Sequence, residues 1–177
     1  MDYTQLVRNW HLKAGDDDYF SKYVFEYLAF VGFLKRVKYV DQNLDSNAIR
    51  ELKRDTYYKD EYLALVKEKQ ELNQSWQIIK EELDTRPLGT LGENGEIDTI
   101  WYWECSHAGK ENPREHICVE QGKIRDLSDW VNMIEFWHSI RNNLFHGAKN
   151  PDDRRDRLLV ENGYKTLRLL VDVLLNS

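Results

Sequence analysis

The amino-acid sequence predicts an all-α protein, and two observations carry that prediction. Apolar side chains recur at three- and four-residue intervals along most of the chain, which places them on one face of a helix. Residues typical of helix starts and ends also stand at the boundaries of these stretches. With 177 residues the chain is expected to form one domain, residues 1–177, with a substantial aromatic core.

The first two predicted helices lie near the N-terminus. Residues 3–13 show helical spacing, and Gly15 is expected to end that helix. The aspartates at 16–18 then provide N-cap candidates with favourable negative charge. Helical spacing resumes at Tyr19 and continues to about Tyr39, with a broad aromatic face that predicts burial on more than one side.

The segment from residue 46 to residue 84 is longer than an ordinary globular helix. Asp45 or Ser46 is expected to cap its start, and Arg86 and Pro87 follow its end. Because mean helices are about three turns long, we expect this segment to break or to project, with residues 55–60 as the break.

A glycine-rich stretch, residues 88–123, interrupts the helical pattern. It contains two runs of strand-forming residues, 97–103 and 116–119, which predict a small β-hairpin insertion with its turn near Glu111. Beyond it, Ser128 is expected to cap a helix that runs to Leu144.

The chain is acidic, with a formal net charge of −6 and a pI of about 5.4, which argues against broad electrostatic binding to nucleic acid. No run approaches the ~18 apolar residues of a membrane span, so no membrane association is expected. Two cysteines do not make a disulfide framework and favour the reducing cytoplasm. No glycine loop of a nucleotide-binding type is present, and no cofactor is expected.

The most informative segment is Arg-Asn-Asn-Leu-Phe-His-Gly at residues 141–147. Arg141 supplies a permanent cation whose donors fit a phosphate, and His146 supplies a group that exchanges protons near neutral pH. Gly147 suits the left-handed position just past a helix end. A last helix follows, opened by Asp152 and Asp153.

Arg141 and His146, with four residues between them and a polar Asn142 after the arginine, resemble the Arg-x-x-x-x-His signature of the HEPN superfamily (higher-eukaryote and prokaryote nucleotide-binding domains). In that family the motif closes the penultimate core helix, and a last helix packs behind it. The resemblance implies an antiparallel helical bundle of HEPN type, with the β-hairpin of residues 88–123 inserted in it. The specific match covers about seven residues, and the architectural match about three quarters of the chain.

The resemblance implies a metal-independent endoribonuclease in a toxin–antitoxin, phage-defence or RNA-processing role. Arg141 and His146 are then the catalytic residues, supported by Asn142, and the partners are RNA and a cognate antitoxin protein. Residues five apart on a regular helix differ in direction by about 140°. Both side chains therefore reach one phosphate only if the helix loosens before Gly147 or if a homodimer pools two motifs. The alternative is a catalytically inactive HEPN-like module that docks a partner protein or nucleotide.

Basic residues after the motif are candidates for RNA binding, namely Lys149, Arg154 and Arg155. A local cationic patch on an acidic protein selects one polyanion while rejecting bulk binding. The alternative is that nearby aspartates neutralise these cations as ordinary helix-surface pairs. Arg141 itself has a structural alternative, an ion pair with Glu135 or Asp129.

Three further features of the sequence leave alternatives open. His138 lies on the same helical stripe as Arg141 and is either a second acid or base or, more commonly, a partner at a helix interface. His11 is expected at the surface. A possible zinc site has two thiols and two imidazoles on one face of the predicted hairpin, with structural zinc as the less expected outcome. Its residues are Cys105, His107, His116 and Cys118.

Overall fold

The structure, a computed structural model, describes residues 2–15, 18–91, 97–98, 103–104, 121–147 and 149–176. Within these ranges the chain forms α1 (Tyr3–Lys13), α2 (Tyr19–Phe33), α3 (Asp45–Arg54), α4 (Thr56–Glu68), α5 (Gln70–Thr85), α6 (Trp130–Phe145) and α7 (Arg154–Leu175). A π-helical turn, Leu34–Lys38, continues α2. The all-α prediction is confirmed for this part of the chain. None of the helices described has both the length and the apolarity of a membrane span.

Aspartate side chains start four of the helices. Asp2 caps α1 by accepting from the Gln5 N–H at 3.1 Å. Asp18, Asp55 and Asp153 each accept hydrogen bonds from backbone N–H groups two or three residues further on. These N–H groups have no partner within the helix, so the carboxylates stabilise α2, α4 and α7 at their first turns. The predicted starts near residues 18 and 153 are confirmed.

The long segment from residue 46 to residue 84 breaks twice. Asp55 adopts an extended conformation, with φ −74° and ψ 103°, and separates α3 from α4. Lys69, with φ −92° and ψ 109°, separates α4 from α5. The predicted break near Asp55 is confirmed. The break at Lys69 was not predicted, because no proline or glycine stands there to indicate it.

Two predicted helix caps are wrong. The N-cap position of α3 is Leu44, which has no acceptor, and Asp45 stands instead in the first turn, where the helix dipole favours its charge. The N-cap position of α6 is Asp129 rather than Ser128, and no side chain caps that helix. The Asp129 carboxylate accepts from the Arg125 guanidinium at 2.6 and 2.9 Å instead.

Two short strands occupy the start of the predicted insertion. Thr90–Leu91 and Ile97–Asp98 pair in antiparallel fashion, with Leu91 opposite Ile97. The predicted turn near Glu111 and the predicted strand at 116–119 lie outside the described residues. The larger β-hairpin over residues 88–123 therefore remains a prediction.

The two ends of this insertion meet at a glycine. The Leu88 N–H donates to the Gly122 carbonyl at 2.8 Å. Gly122 has φ +76°, and a Cβ there would lie 2.5 Å from the Leu88 carbonyl oxygen. Only glycine fits this approach, so the backbone leaves and re-enters the helical body at one point.

The core is built around α7, which packs against α1, α2, α4, α5 and α6. Large aromatic side chains fill the space between these helices and are fully buried; they include Trp76, Trp137, Tyr23, Tyr62, Phe30 and Phe136. Burying an aromatic side chain removes roughly 150–250 Å² of its surface from water, so these rings dominate the hydrophobic stabilisation.

The polar atoms of the buried rings all have partners. The Trp137 indole N–H donates to the Thr166 hydroxyl at 3.0 Å, and Tyr23 donates to the Trp137 carbonyl at 2.6 Å. The Trp76 indole donates to the Tyr62 hydroxyl at 3.0 Å, which donates to the Thr166 carbonyl at 2.9 Å. These bonds join α2, α4, α5 and α6 to one another and to α7.

Replacing Thr166 by valine tests this network. Thr166→Val keeps the side-chain shape but leaves the buried Trp137 N–H without an acceptor, so we expect a loss of about 1–3 kcal/mol in the free energy of unfolding. Denaturant titration measures the loss, with Thr85→Val as the control because the Thr85 hydroxyl bonds to the Glu81 carbonyl at an exposed site. Equal stability of the two variants would contradict the assigned role.

A buried ionic cluster ties α1 to α2 and α7. His11 is buried, against the expectation that it lies at the surface, and donates to Glu26 at 2.6 Å and to Asp172 at 3.1 Å. The hydrogen bonds to Asp172 and Glu26 raise the pKa of His11 to about 9. Arg168 donates to the second Glu26 oxygen at 3.4 Å, so the buried carboxylate faces two cations.

This cluster makes stability depend on pH. The folded-state pKa of His11 is above its ordinary value of 6.5, so its contribution is complete below pH 6.5 and is lost as pH rises through about 9. Wild type is expected to be more stable than His11→Gln at low pH, and we expect this difference in the free energy of unfolding to shrink by about 2 kcal/mol over that interval. The value allows for solvent screening, because the Asp172 side chain is 45% exposed. Urea titrations at pH 6 and pH 9.5 measure it, and a constant difference would contradict it.

Candidate functional site

Helix α6 carries the arginine–histidine motif in its last turn. Its preceding turns are anchored by buried apolar side chains, among them Met133, Ile134, Phe136, Trp137 and Ile140. The helix ends at Phe145 because Gly147 takes the left-handed conformation, φ +68°, that the sequence predicts. The motif is therefore held by a rigid core helix and ends at the protein surface.

Arg141 is held by neutral groups. Its Nη1 donates to the Asn142 side-chain oxygen at 2.9 Å, and its guanidinium carbon lies 4.5 Å from the centre of the Phe145 ring and 5.9 Å from that of Tyr27. The predicted alternative of an ion pair with Glu135 or Asp129 is wrong, because Lys53 and Arg125 bind those carboxylates. No carboxylate of the described residues pairs with Arg141, so its charge is available to an anion.

His146 lies at the C-cap of α6 with an exposed side chain. Its backbone N–H donates to the Asn142 carbonyl at 3.0 Å, which is the regular helical bond. The helix does not loosen before His146, and the side chains of Arg141 and His146 leave the axis about 140° apart. Within one chain these two side chains form no hydrogen bond with each other.

Asn143 is a residue of this turn that the sequence did not single out. Its side-chain nitrogen donates to the Gly89 carbonyl at 2.9 Å, and its buried side-chain oxygen has no partner among the described residues. The bond fixes the start of the predicted insertion against the motif helix. An asparagine beside another asparagine gave no pattern from which this role was predictable.

The three predicted RNA-binding residues have different surroundings. The Lys149 side chain is 4% exposed and its ammonium pairs with Asp156, which disfavours it as a phosphate contact. Arg155 donates to the Arg86 carbonyl and lies 3.8 Å from a Glu82 oxygen. Arg154 is exposed.

His138 and Tyr27 form a polar contact beneath Arg141. The Tyr27 hydroxyl lies 2.8 Å from His138 Nδ1, so the imidazole is a partner at a helix interface as one of the two alternatives predicted. Burial, Arg141 and Lys53 lower the pKa of His138 to about 4. The imidazole is neutral at physiological pH, and Tyr27 and Lys53, which come from distant helices, were not predictable as its neighbours.

The pKa of His138 reports the position of the Arg141 charge. Arg141→Gln removes a cation that disfavours imidazolium, so we expect the pKa of His138 to rise above about 4. An NMR titration of the imidazole measures it, with Arg154→Gln as a control that removes an exposed charge from another helix. An unchanged pKa in Arg141→Gln would show that the guanidinium lies elsewhere.

The possible zinc residues Cys105, His107, His116 and Cys118 lie outside the described residues. Across the part of the chain that the structure describes, no three histidine, cysteine, aspartate or glutamate side chains are grouped to hold a metal ion.

Comparison with known proteins gives no match to the chain among family models, curated proteins or solved structures.

Proposed function

We propose that the protein is a metal-independent endoribonuclease of the HEPN kind, with Arg141 and His146 as catalytic residues and Asn142 in support. One observation carries the proposal: the last turns of α6 present a guanidinium with no carboxylate partner among the described residues, five positions before an exposed imidazole. Arginine held on an aromatic ring and an amide keeps its charge for a ligand, whereas a structural arginine is ordinarily neutralised.

The chemistry uses the nucleophile that RNA carries. The ribose 2′-OH attacks the adjacent phosphorus while an imidazole accepts its proton, and the bond from phosphorus to the 5′ oxygen breaks. A protonated imidazole gives a proton to the leaving 5′ oxygen. The guanidinium stabilises the negative charge on the phosphoryl oxygens. The products are a 2′,3′-cyclic phosphate and a 5′-OH, and DNA does not react.

The geometry of α6 favours a homodimer as the active form. One chain directs Arg141 and His146 about 140° apart, whereas a two-fold axis near the helix end brings Arg141 of one protomer to His146 of the other. Phe145 is 57% exposed and borders an apolar groove of about 340 Å³ that a second copy would cover. Phe20, Ser21, Val24, Phe25 and Leu144 complete its lining.

In this proposal the substrate is single-stranded or looped RNA in the cytoplasm. Arg154 extends the phosphate-binding surface beyond the motif. Arg155 extends it as well when its ion pair with Glu82 opens. A cognate antitoxin that covers the motif is the expected protein partner, in a toxin–antitoxin, phage-defence or RNA-processing role. A short antitoxin or nucleotidyltransferase reading frame beside the gene would favour the toxin role.

Cleavage of a mixed-sequence RNA in EDTA tests the activity. We expect wild type to release 2′,3′-cyclic ends and Arg141→Ala and His146→Ala to be at least about 100-fold slower, because each removes a group acting in the transition state. Arg157→Ala is the control variant, because Arg157 is an exposed residue of α7. A DNA of the same sequence should stay intact. If no RNA is cut, or if all variants cut equally, the catalytic proposal is wrong, and the binding-module alternative replaces it.

Mixing the two inactive variants tests the pooled site. In a heterodimer of Arg141→Ala and His146→Ala, one of the two arginine–histidine pairs between protomers is intact. Random exchange makes half of the dimers mixed, so we expect about a quarter of the wild-type activity to return. No recovery after subunit exchange, checked by native mass spectrometry, would mean that each chain uses its own pair.

A further inference from the structure

A small polar pocket lies between α3 and α6, one turn before the motif arginine. It has a volume of about 70 Å³ and is lined by Ser46, Ile49, Arg50, Lys53, Glu135 and His138. A single water needs about 10–15 Å³ of such space, so the pocket has room for a tetrahedral anion. Neither the catalytic chemistry proposed above nor the core packing uses this pocket.

The charges around the pocket favour an anion. The buried Glu135 carboxylate pairs with the Lys53 ammonium, so the inner wall is close to neutral. Arg50 is exposed at the mouth, and none of the described residues pairs with its guanidinium. The lining therefore carries one uncompensated positive charge, and the serine hydroxyl at position 46 adds a neutral donor.

His138 adds a donor whose direction is set by Tyr27. The phenol of Tyr27 is buried and burial raises its pKa, so it keeps its proton and needs an acceptor. His138 Nδ1, at 2.8 Å, is that acceptor, which puts the ring proton of the neutral imidazole on Nε2. Nε2 has no hydrogen-bond partner among the described residues, and the imidazole lines the pocket.

The pocket and Arg141 belong to one surface. His138 and Arg141 are three residues apart on α6, so their side chains are neighbours with Cβ atoms about 5–6 Å apart. Tyr27 links them from below, because its hydroxyl contacts His138 and its ring lies under the Arg141 guanidinium. An anion in the pocket lies one helical turn from an anion held by Arg141.

We propose that this pocket binds a phosphate group of the RNA strand next to the one held by Arg141, with Arg50 and the His138 Nε2–H as its donors. The proposal rests on the ribonuclease function and adds a substrate-positioning subsite to it. A strand held at two neighbouring phosphates has its direction fixed across the motif, so the subsite sets which 2′-OH faces the catalytic groups.

Inorganic phosphate tests the pocket without any RNA. We expect phosphate at pH 7 to shift the His138 imidazole resonances saturably in wild type, and with about tenfold weaker affinity in Arg50→Ala, which loses one charge-assisted donor. Arg8→Ala is the control, because Arg8 is an exposed arginine on α1, which packs on α2 and α7. An equal shift with chloride at matched ionic strength, or no difference between Arg50→Ala and Arg8→Ala, would overturn the site.

RNA kinetics and binding distinguish this subsite from the ribonuclease itself. We expect Arg50→Ala to raise KM about tenfold with little change in kcat, because the contact is made before and during the reaction. The salt dependence of binding to a 2′-deoxy oligonucleotide should weaken by about 0.7 in its logarithmic slope, the value for one phosphate on a single strand. If RNA is cut but KM and slope are unchanged, the subsite is wrong and the ribonuclease stands. If RNA is not cut and the oligonucleotide slope is unchanged, both proposals are wrong.

Discussion

The hydrogen bond between the Trp137 indole and the Thr166 hydroxyl is the contact on which the position of the motif depends. It joins α6 to α7 at 3.0 Å inside a core where an unpaired N–H is costly, and the bond from Tyr23 to the Trp137 carbonyl fixes the same turn of α6 to α2. One turn further along, α6 presents Arg141. The Trp137 indole also packs against the rings of Phe30, Tyr62 and Trp76, which holds this turn of α6 in the bundle.

The pairing of cations distinguishes the motif arginine from those around it. Of the three cations that the sequence groups after the motif, Lys149 and Arg155 each face a carboxylate, whereas Arg154 is exposed. Arg141 instead lies on the Phe145 ring, and the described residues supply it with no carboxylate. An uncompensated, half-buried guanidinium is an unusual cost for a folded protein to carry.

The neutral imidazole of His138 lies beside Arg141, and both side chains contact Tyr27. Two cations and burial hold its pKa near 4, so it adds a directed donor to this surface without adding a third charge to repel its neighbours. The Lys53–Glu135 pair lies alongside, and removing either partner leaves a buried charge. The surface around Arg141 thus combines oriented hydrogen-bond donors with a low net charge.

The sequence by itself determined the helices, since periodicity and aspartate caps act within a few residues; it gave the bounds of α1 and the glycine end of α6 correctly. It did not determine the break at Lys69 or the burial of His11, because both depend on contacts between residues far apart in the chain. It named Arg141 and His146 as candidates from their chemistry and spacing. Only the tertiary structure decided that Arg141 has no carboxylate partner among the described residues and that Tyr27 orients His138, because charge pairing is set by which helices meet.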